Sequence, residues 1–140
     1  MNPVYQLEIE VTAKDVDRNG HVNNVVYIQW MQDAAVAHAQ ASGCTEASLA
    51  VGATWVVRTH HIEYLAPAFA GDKITLLTWP SNFQRVRSLR KYKFARARDN
   101  SVLARAETDW VFVNAKTGRP QSIPAEVKNT LPVVSKEMEP

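Results

Sequence analysis

The chain has 140 residues, 46% hydrophobic and 21% charged, with a formal net charge of +2. That length suits one domain, the apolar content supplies a core and excludes global disorder, and the small charge argues against a nucleic-acid binder. A single cysteine, Cys44, excludes an internal disulfide and fits a reducing compartment.

Tyr5, Leu7, Ile9 and Val11 alternate with Gln6, Glu8, Glu10 and Thr12, which predicts a half-buried strand. A polar loop follows, and Asn23 or Asn24 can cap the helix beyond it, because an amide oxygen satisfies early backbone N–H groups. Tyr27, Trp30, Met31, Ala34, Ala35, His38 and Ala41 then recur at helical spacing, and Gly43 is a natural stop. This helix is alanine-rich and apolar around much of its girth, which predicts burial against a sheet.

Thr54 to Tyr64 is rich in β-branched and aromatic residues, Pro67 and Gly71-Asp72 mark a turn, and Lys73 to Trp79 reads as another strand. Arg85 to Arg98 alternates, with Tyr92 and Phe94 on the face of Arg90 and Arg96. Asp99-Asn100-Ser101 is a hairpin turn into a strand from Val102 to Val113, which carries Trp110 and Phe112 on one face. Pro124 to Leu131 suits a short closing helix. One strand, a long helix and four strands joined by tight turns predict an α+β fold, an antiparallel sheet with one helix packed on it. No basic-plus-apolar leader opens the chain, and no apolar run approaches about 18 residues. The expectation is a cytoplasmic protein away from the membrane, one domain over residues 1–134, and a polar, frayed tail at 135–140.

The loop from Asp15 to Tyr27 carries most of the functional signal. It gathers two carboxylates, an imidazole and three side-chain amides around Gly20, between a strand and a helix start. Asp15-x-Asp17-x-Asn19-Gly20 matches the opening half of a calcium loop, but Val26 stands where the bidentate glutamate belongs and the segment before it is a strand. Two readings remain. Asp15 and Asp17 close turns while the asparagines cap the helix, or a carboxylate beside a helix N-terminus serves as base or nucleophile while backbone N–H groups polarise a carbonyl. His21 adds a second proton-transfer group.

Asp17-x-x-Gly20-x-Val22 followed by Asn23-Asn24-x-x-Tyr27-x-x-Trp30 resembles the signature of hotdog-fold acyl thioesterases, in the 4-hydroxybenzoyl-CoA thioesterase branch and the acyl-CoA enzymes near it. Asn19 to Tyr27 is also similar to the Asn-x-His-Val-Asn-Asn-x-x-Tyr run of plant acyl-carrier-protein thioesterases. Ile62 to Asp72 looks like the family's second-strand exit, with its Tyr, Pro-Ala and Gly-Asp positions. The resemblance spans roughly residues 4–115. It implies a hotdog fold, a sheet wrapped around one long helix, and hydrolysis of an acyl-CoA thioester to a carboxylate and free CoA. In the hydroxybenzoyl branch the catalytic carboxylate falls at Asp17 and the carbonyl-polarising N–H at Asn24. In the plant-type pattern Asn19 and His21 join the aspartate in positioning the attacking water. The chain departs from both patterns, since the hydroxybenzoyl enzyme lacks a histidine at the His21 position and the plant enzymes lack Gly20. The division of labour among Asp17, Asn19 and His21 therefore stays open.

Arg85-Val86-Arg87-Ser88 resembles the Arg/Lys-Ser turn where these enzymes meet the nucleotide end of CoA. Arg85, Arg87, Ser88 and Arg90 are the candidate CoA-binding residues, because guanidinium groups suit phosphates. The same strip would attract an acidic acyl carrier protein. Asp33 sits where relatives often carry an acid, and also reads as a solvated helix residue. Cys44 has no activating neighbour and reads as structural. His60 and His61 point to opposite faces of a strand, so they do not share a metal. Neither a metal nor a redox cofactor is implied. A non-catalytic acyl-CoA-binding module is the second functional reading. A hotdog hydratase is disfavoured, because His21 lies four residues after Asp17 without an intervening proline. One helix on one sheet leaves an edge and a face uncovered, which predicts a homodimer, and relatives pair such dimers into tetramers.

Overall fold

The computed structural model describes residues 3–140. Strand β1 (Tyr5–Glu10) leads through a 3-10 turn at Ala13–Asp15 and the polar loop into helix α1 (Asn24–Ser42). Gly43 ends α1 with φ at 88°, a left-handed conformation that suits glycine. A second helix, α2 (Cys44–Ala50), starts at once beyond it. The sequence showed the stop at Gly43 and no apolar periodicity long enough to reveal α2. Strands β2 (Ala53–Tyr64), β3 (Lys73–Phe83), β4 (Arg87–Arg96) and β5 (Val102–Asn114) follow, then a single helical turn, α3 (Ala125–Lys128).

The five strands form one antiparallel sheet in the order β1-β3-β4-β5-β2. β3 runs past the expected end at Trp79 because Pro80, which has no N–H to donate, sits where the register with β4 shifts between Pro80 and Asn82. Among the described residues β2 pairs with β5 alone, which leaves its other edge open.

α1 buries Tyr27, Trp30, Met31, Ala34, Ala35 and His38 against the inner sheet face. There Tyr27, Trp30, Met31 and Ala34 join Leu76, Phe94, Leu103, Ala104 and neighbouring side chains in one core. Ala41, on the same stripe, is exposed at the helix end. Tyr27 sets its ring edgewise on Phe94, with centroids 5.0 Å apart, and on Tyr64 at 5.3 Å. A second apolar cluster closes the opposite end of the sheet, where Cys44 and Ala53 meet Phe112, Ile123, Val127 and Leu131.

The C-terminal segment departs from expectation. It packs across the outer sheet face and forms a 3-10 turn at Lys136–Met138. Trp79 points away from α1 yet is only 2% exposed. Its indole N–H donates to Glu139 at 3.0 Å, and the same carboxylate pairs with Lys91 at 3.0 Å. The Val134 N–H donates to the Pro80 carbonyl at 3.0 Å. An outward tryptophan needs a cover, and composition alone did not reveal it. Removing residues 135–140 should lower the unfolding free energy by about 1–3 kcal/mol, the scale of a charge-assisted hydrogen bond lost from a buried donor. Urea midpoints of the two chains measure it.

Candidate active site

The loop between β1 and α1 is a small hairpin. Val16 pairs with Val22 in an antiparallel bridge. The Asp17 N–H donates to the His21 carbonyl at 2.8 Å, and the Gly20 N–H donates to the Asp17 carbonyl at 2.9 Å. Gly20 has φ at 79°, which the tight turn requires and other residues adopt with strain. Asp17 Oδ1 accepts the Asn19 N–H at 2.8 Å. Asn23 is the helix cap, its Oδ1 accepting the Val25 N–H at 3.0 Å. Asn24 is the first residue of α1, and its N–H has no hydrogen bond among the described residues, as expected of a first-turn donor.

Other segments fix the loop in place. The Val22 N–H donates to the Ala68 carbonyl at 2.9 Å, and the Tyr64 hydroxyl donates to the Asn24 carbonyl at 3.3 Å. His21 sets its ring edgewise to Phe69, with centroids 5.3 Å apart. Asp15 turns the other way, its carboxylate accepting both the N–H and the hydroxyl of Thr12 and closing the preceding 3-10 turn.

The structure therefore gathers Asp17, Asn19, His21 and Asn24 on one exposed loop at the positive end of a 19-residue helix. Large apolar side chains lie exposed beside them, with Val25 70%, Tyr64 43%, Leu65 51% and Phe69 43% accessible. Polar reactive groups rimmed by exposed apolar surface mark a place that a ligand or partner covers.

The remaining candidates fall elsewhere. Asp33 is exposed and accepts from the Gln29 side chain at 2.8 Å. Cys44 is buried beside Ser48. His60 is half-buried, with Nδ1 2.8 Å from the Thr108 hydroxyl, and burial lowers its pKa; His61 is exposed.

The basic run divides between two environments. Arg85 is exposed in the turn before β4 and donates to Ser122 at 3.2 Å. Arg87 lies on the outer face and pairs with Asp109 at 3.2 Å. Ser88 and Arg90 point inward under α1, since side chains alternate along a strand. Ser88 donates to the Asn82 carbonyl at 2.8 Å and is buried, and Arg90 is only 5% exposed. The four residues therefore do not form one surface strip.

Sequence reasoning missed what Arg90 does inside. Its Nη1 donates to His38 Nδ1 at 2.9 Å and to the Thr78 hydroxyl at 3.1 Å. Tyr5 stacks on His38 with centroids 5.1 Å apart. Burial, and then the adjacent guanidinium, hold the His38 pKa down to about 4. Arg90 also lines a cavity of about 220 Å³ between the C-terminal half of α1, α2 and the sheet, walled by Ala35, Ala39, Ser48, Trp55 and Trp110. His38 on the apolar helix stripe, facing an arginine beside Tyr92 and Phe94, was the only sequence signal of this cluster.

His38 makes a pH prediction. Its folded pKa lies below its unfolded value near 6.5, so the unfolded chain takes up the proton first. Its contribution is complete above pH 6.5 and is lost as pH falls towards 4. The unfolding free energy of the wild type should decline over that window more steeply than that of His38→Gln, which keeps an acceptor for Arg90 without titrating. Urea titrations at pH 7, 5.5 and 4.5 measure the difference.

The strand order, the long helix under the sheet and the loop at its N-terminus define a hotdog fold. Residues 11–131 match the thioesterase-like superfamily, and the chain belongs to it. It is 30% identical over 127 residues to the L-carnitine dehydrogenase/betainyl-CoA thioesterase of Rhizobium meliloti (strain 1021), covering 89% of this chain and 25% of that protein. It is 26% identical over 133 residues to chloroplastic oleoyl-acyl carrier protein thioesterase 1 of Arabidopsis thaliana, covering 89% of this chain and 36% of that one. The chain thus spans about a quarter to a third of the length of these curated relatives. Among solved structures, Slr0204, a 1,4-dihydroxy-2-naphthoyl-CoA thioesterase from Synechocystis, superposes with a TM-score of 0.80 at 20% identity, covering 91% of this chain and 95% of that chain. No helix among the described residues is long and apolar enough to cross a membrane.

Proposed function

We propose that this chain is an acyl-CoA thioesterase with Asp17 as its central catalytic group. One observation carries the reading: Asp17 shares a hydrogen-bonded loop with the N–H of Asn24 at the start of α1, which is unengaged among the described residues. A thioester carbonyl at that helix start accepts the Asn24 N–H, which stabilises the oxyanion as the carbon becomes tetrahedral. Asp17 then either attacks the carbonyl carbon, forming an anhydride that water cleaves, or takes a proton from the attacking water. In both routes water is consumed and the C–S bond breaks. The CoA thiolate leaves with a proton and the acyl group leaves as a carboxylate. In this reading Asn19 and His21 orient the water, and His21 protonates the leaving sulfur. Arg85 and Arg87 are the CoA phosphate contacts in this reading, with Ser88 fixing the turn beneath them through Asn82.

The reading includes a homodimer. The free edge of β2 carries Val56, 44% exposed, and Tyr64, 43% exposed. An isologous antiparallel pairing of β2 with its copy continues the sheet. Its axis passes between Arg58 and Thr59, the middle of Ala53–Tyr64. Within one protomer the Asp17 loop and the cavity by Ala39 lie at opposite ends of α1, separated by roughly 20 Å along the axis. The two-fold brings Trp55 and the cavity of one protomer towards Tyr64, Asn24 and Asp17 of its partner. A dimer of dimers is the further assembly expected of this family.

A second reading, hydrolysis of acyl groups on acyl carrier protein, is favoured by the basic residues Arg85 and Arg87 and by the similarity to the oleoyl-acyl carrier protein enzyme. The test is thiol release from aromatic and short-to-long aliphatic acyl-CoAs, with the same acyl groups on carrier protein in parallel. Turnover of CoA esters at the higher kcat/KM supports the reading. Binding across the panel without turnover replaces it with a non-catalytic acyl-CoA module.

A further inference from the structure

We propose that the cavity beneath α1 receives the far end of the acyl group and that Arg90 selects acyl groups ending in a carboxylate. The inference rests on the thioesterase reading for its substrate and on the cavity alone for its chemistry.

Arg90 is a cation 5% exposed, and among the described residues no carboxylate pairs with it. Arg58, Arg87, Lys91 and Arg96 all have acidic partners. Both hydrogen bonds of Arg90 run through Nη1 to neutral acceptors, the ring of His38 and the hydroxyl of Thr78. Nε and Nη2 make no hydrogen bond among the described residues, and Arg90 is part of the cavity wall. His38 is uncharged at neutral pH, so it brings no charge of its own to the site. A desolvated cation with no counter-ion is costly, and an entering anion relieves that cost. Two donors in a planar fork match the two oxygens of a carboxylate.

The rest of the cavity suits a short methylene chain. Ala35, Ala39, Trp55 and Leu131 give it apolar walls. Its volume of about 220 Å³ lies below the 300–1,000 Å³ of sites for drug-sized ligands. Arg90 and Trp110 both belong to its lining. An acyl group with a cationic end meets like charge there and is rejected.

The experiment compares length-matched pairs of acyl-CoA, glutaryl with valeryl and adipoyl with hexanoyl, on wild type, Arg90→Met and Arg90→Lys. In parallel, calorimetry measures binding of free valerate and hexanoate against the uncharged valeramide and hexanamide. The wild type is expected to favour the carboxylate-ended ester at least tenfold in kcat/KM and to bind the free carboxylates more tightly than the amides. Arg90→Met should reverse the preference, and Arg90→Lys should retain part of it. Should Arg90→Met fail to fold, the wild-type ratio and its reduction in Arg90→Lys decide. If no ester is turned over, the thioesterase reading fails, while carboxylate-over-amide binding that is reduced in Arg90→Lys and lost in Arg90→Met still supports the cavity assignment. Equal or inverted preference in the wild type, or a ratio unmoved in both variants, overturns the proposal.

Discussion

Asp17→Asn should lower kcat for thioester hydrolysis by about 10²–10⁴-fold, the usual contribution of a positioned base or nucleophile, while the chain stays folded. The side chain is exposed, and its one hydrogen bond among the described residues is the contact of Oδ1 with the Asn19 N–H. Asparagine keeps that acceptor and hence the turn, so the unfolding free energy should move by less than about 1 kcal/mol. Asp17→Ala loses the acceptor as well and should match Asp17→Asn in activity while costing slightly more stability. His21→Ala should fall less, because an orienting group is partly replaced by water. Thiol-release assays alongside urea midpoints separate the two effects. Hydrolysis that survives both Asp17 substitutions removes the carboxylate from the mechanism.

A heterodimer of two inactive chains should recover about half the wild-type activity. One chain carries Asp17→Asn, and the other carries Ala39→Phe, which fills the cavity. With isologous pairing, each site joins the loop of one protomer to the cavity of the other. The mixed dimer then holds one site with both parts intact and one with neither. Each homodimer has two damaged sites and stays inactive. Co-expression with different affinity tags and tandem purification isolates the mixed dimer for assay. A site contained within one protomer gives no recovery, because no chain in the mixture has both an intact loop and an open cavity.

Much of this molecule was legible in the sequence, for local reasons. The alternation of Tyr5 to Thr12 and the helical recurrence from Tyr27 to His38 mark β1 and the buried face of α1, because burial acts directly on those periods. The hairpin at Asp99-Ser101 is announced by its turn chemistry, with Asn100 at φ 58°. The loop residues Asp17, Asn19, His21 and Asn24 are close in sequence, so the fold had little room to separate them. The parts that escaped depend on contacts between distant segments. Whether Arg90 is a surface phosphate contact or a buried cation depends on which strand face lies beneath α1, and His38 is 52 positions away. The tail at 135–140 looked frayed because its purpose is set by Trp79, on the far side of β3. α2 was hidden because seven residues after a glycine stop carry too few apolar positions to display a period.

The most direct measurement is a crystal structure of Asp17→Asn bound to a non-hydrolysable adipoyl-CoA analogue in which CH₂ replaces the thioester sulfur. The analogue carbonyl is expected within hydrogen-bond reach of the Asn24 N–H of one protomer, with the acyl chain entering the cavity of its partner and the terminal carboxylate on that partner's guanidinium at position 90. An acyl chain lying wholly within one protomer rules out the shared site, and a carbonyl placed away from the start of α1 rules out the Asn24 N–H as its partner.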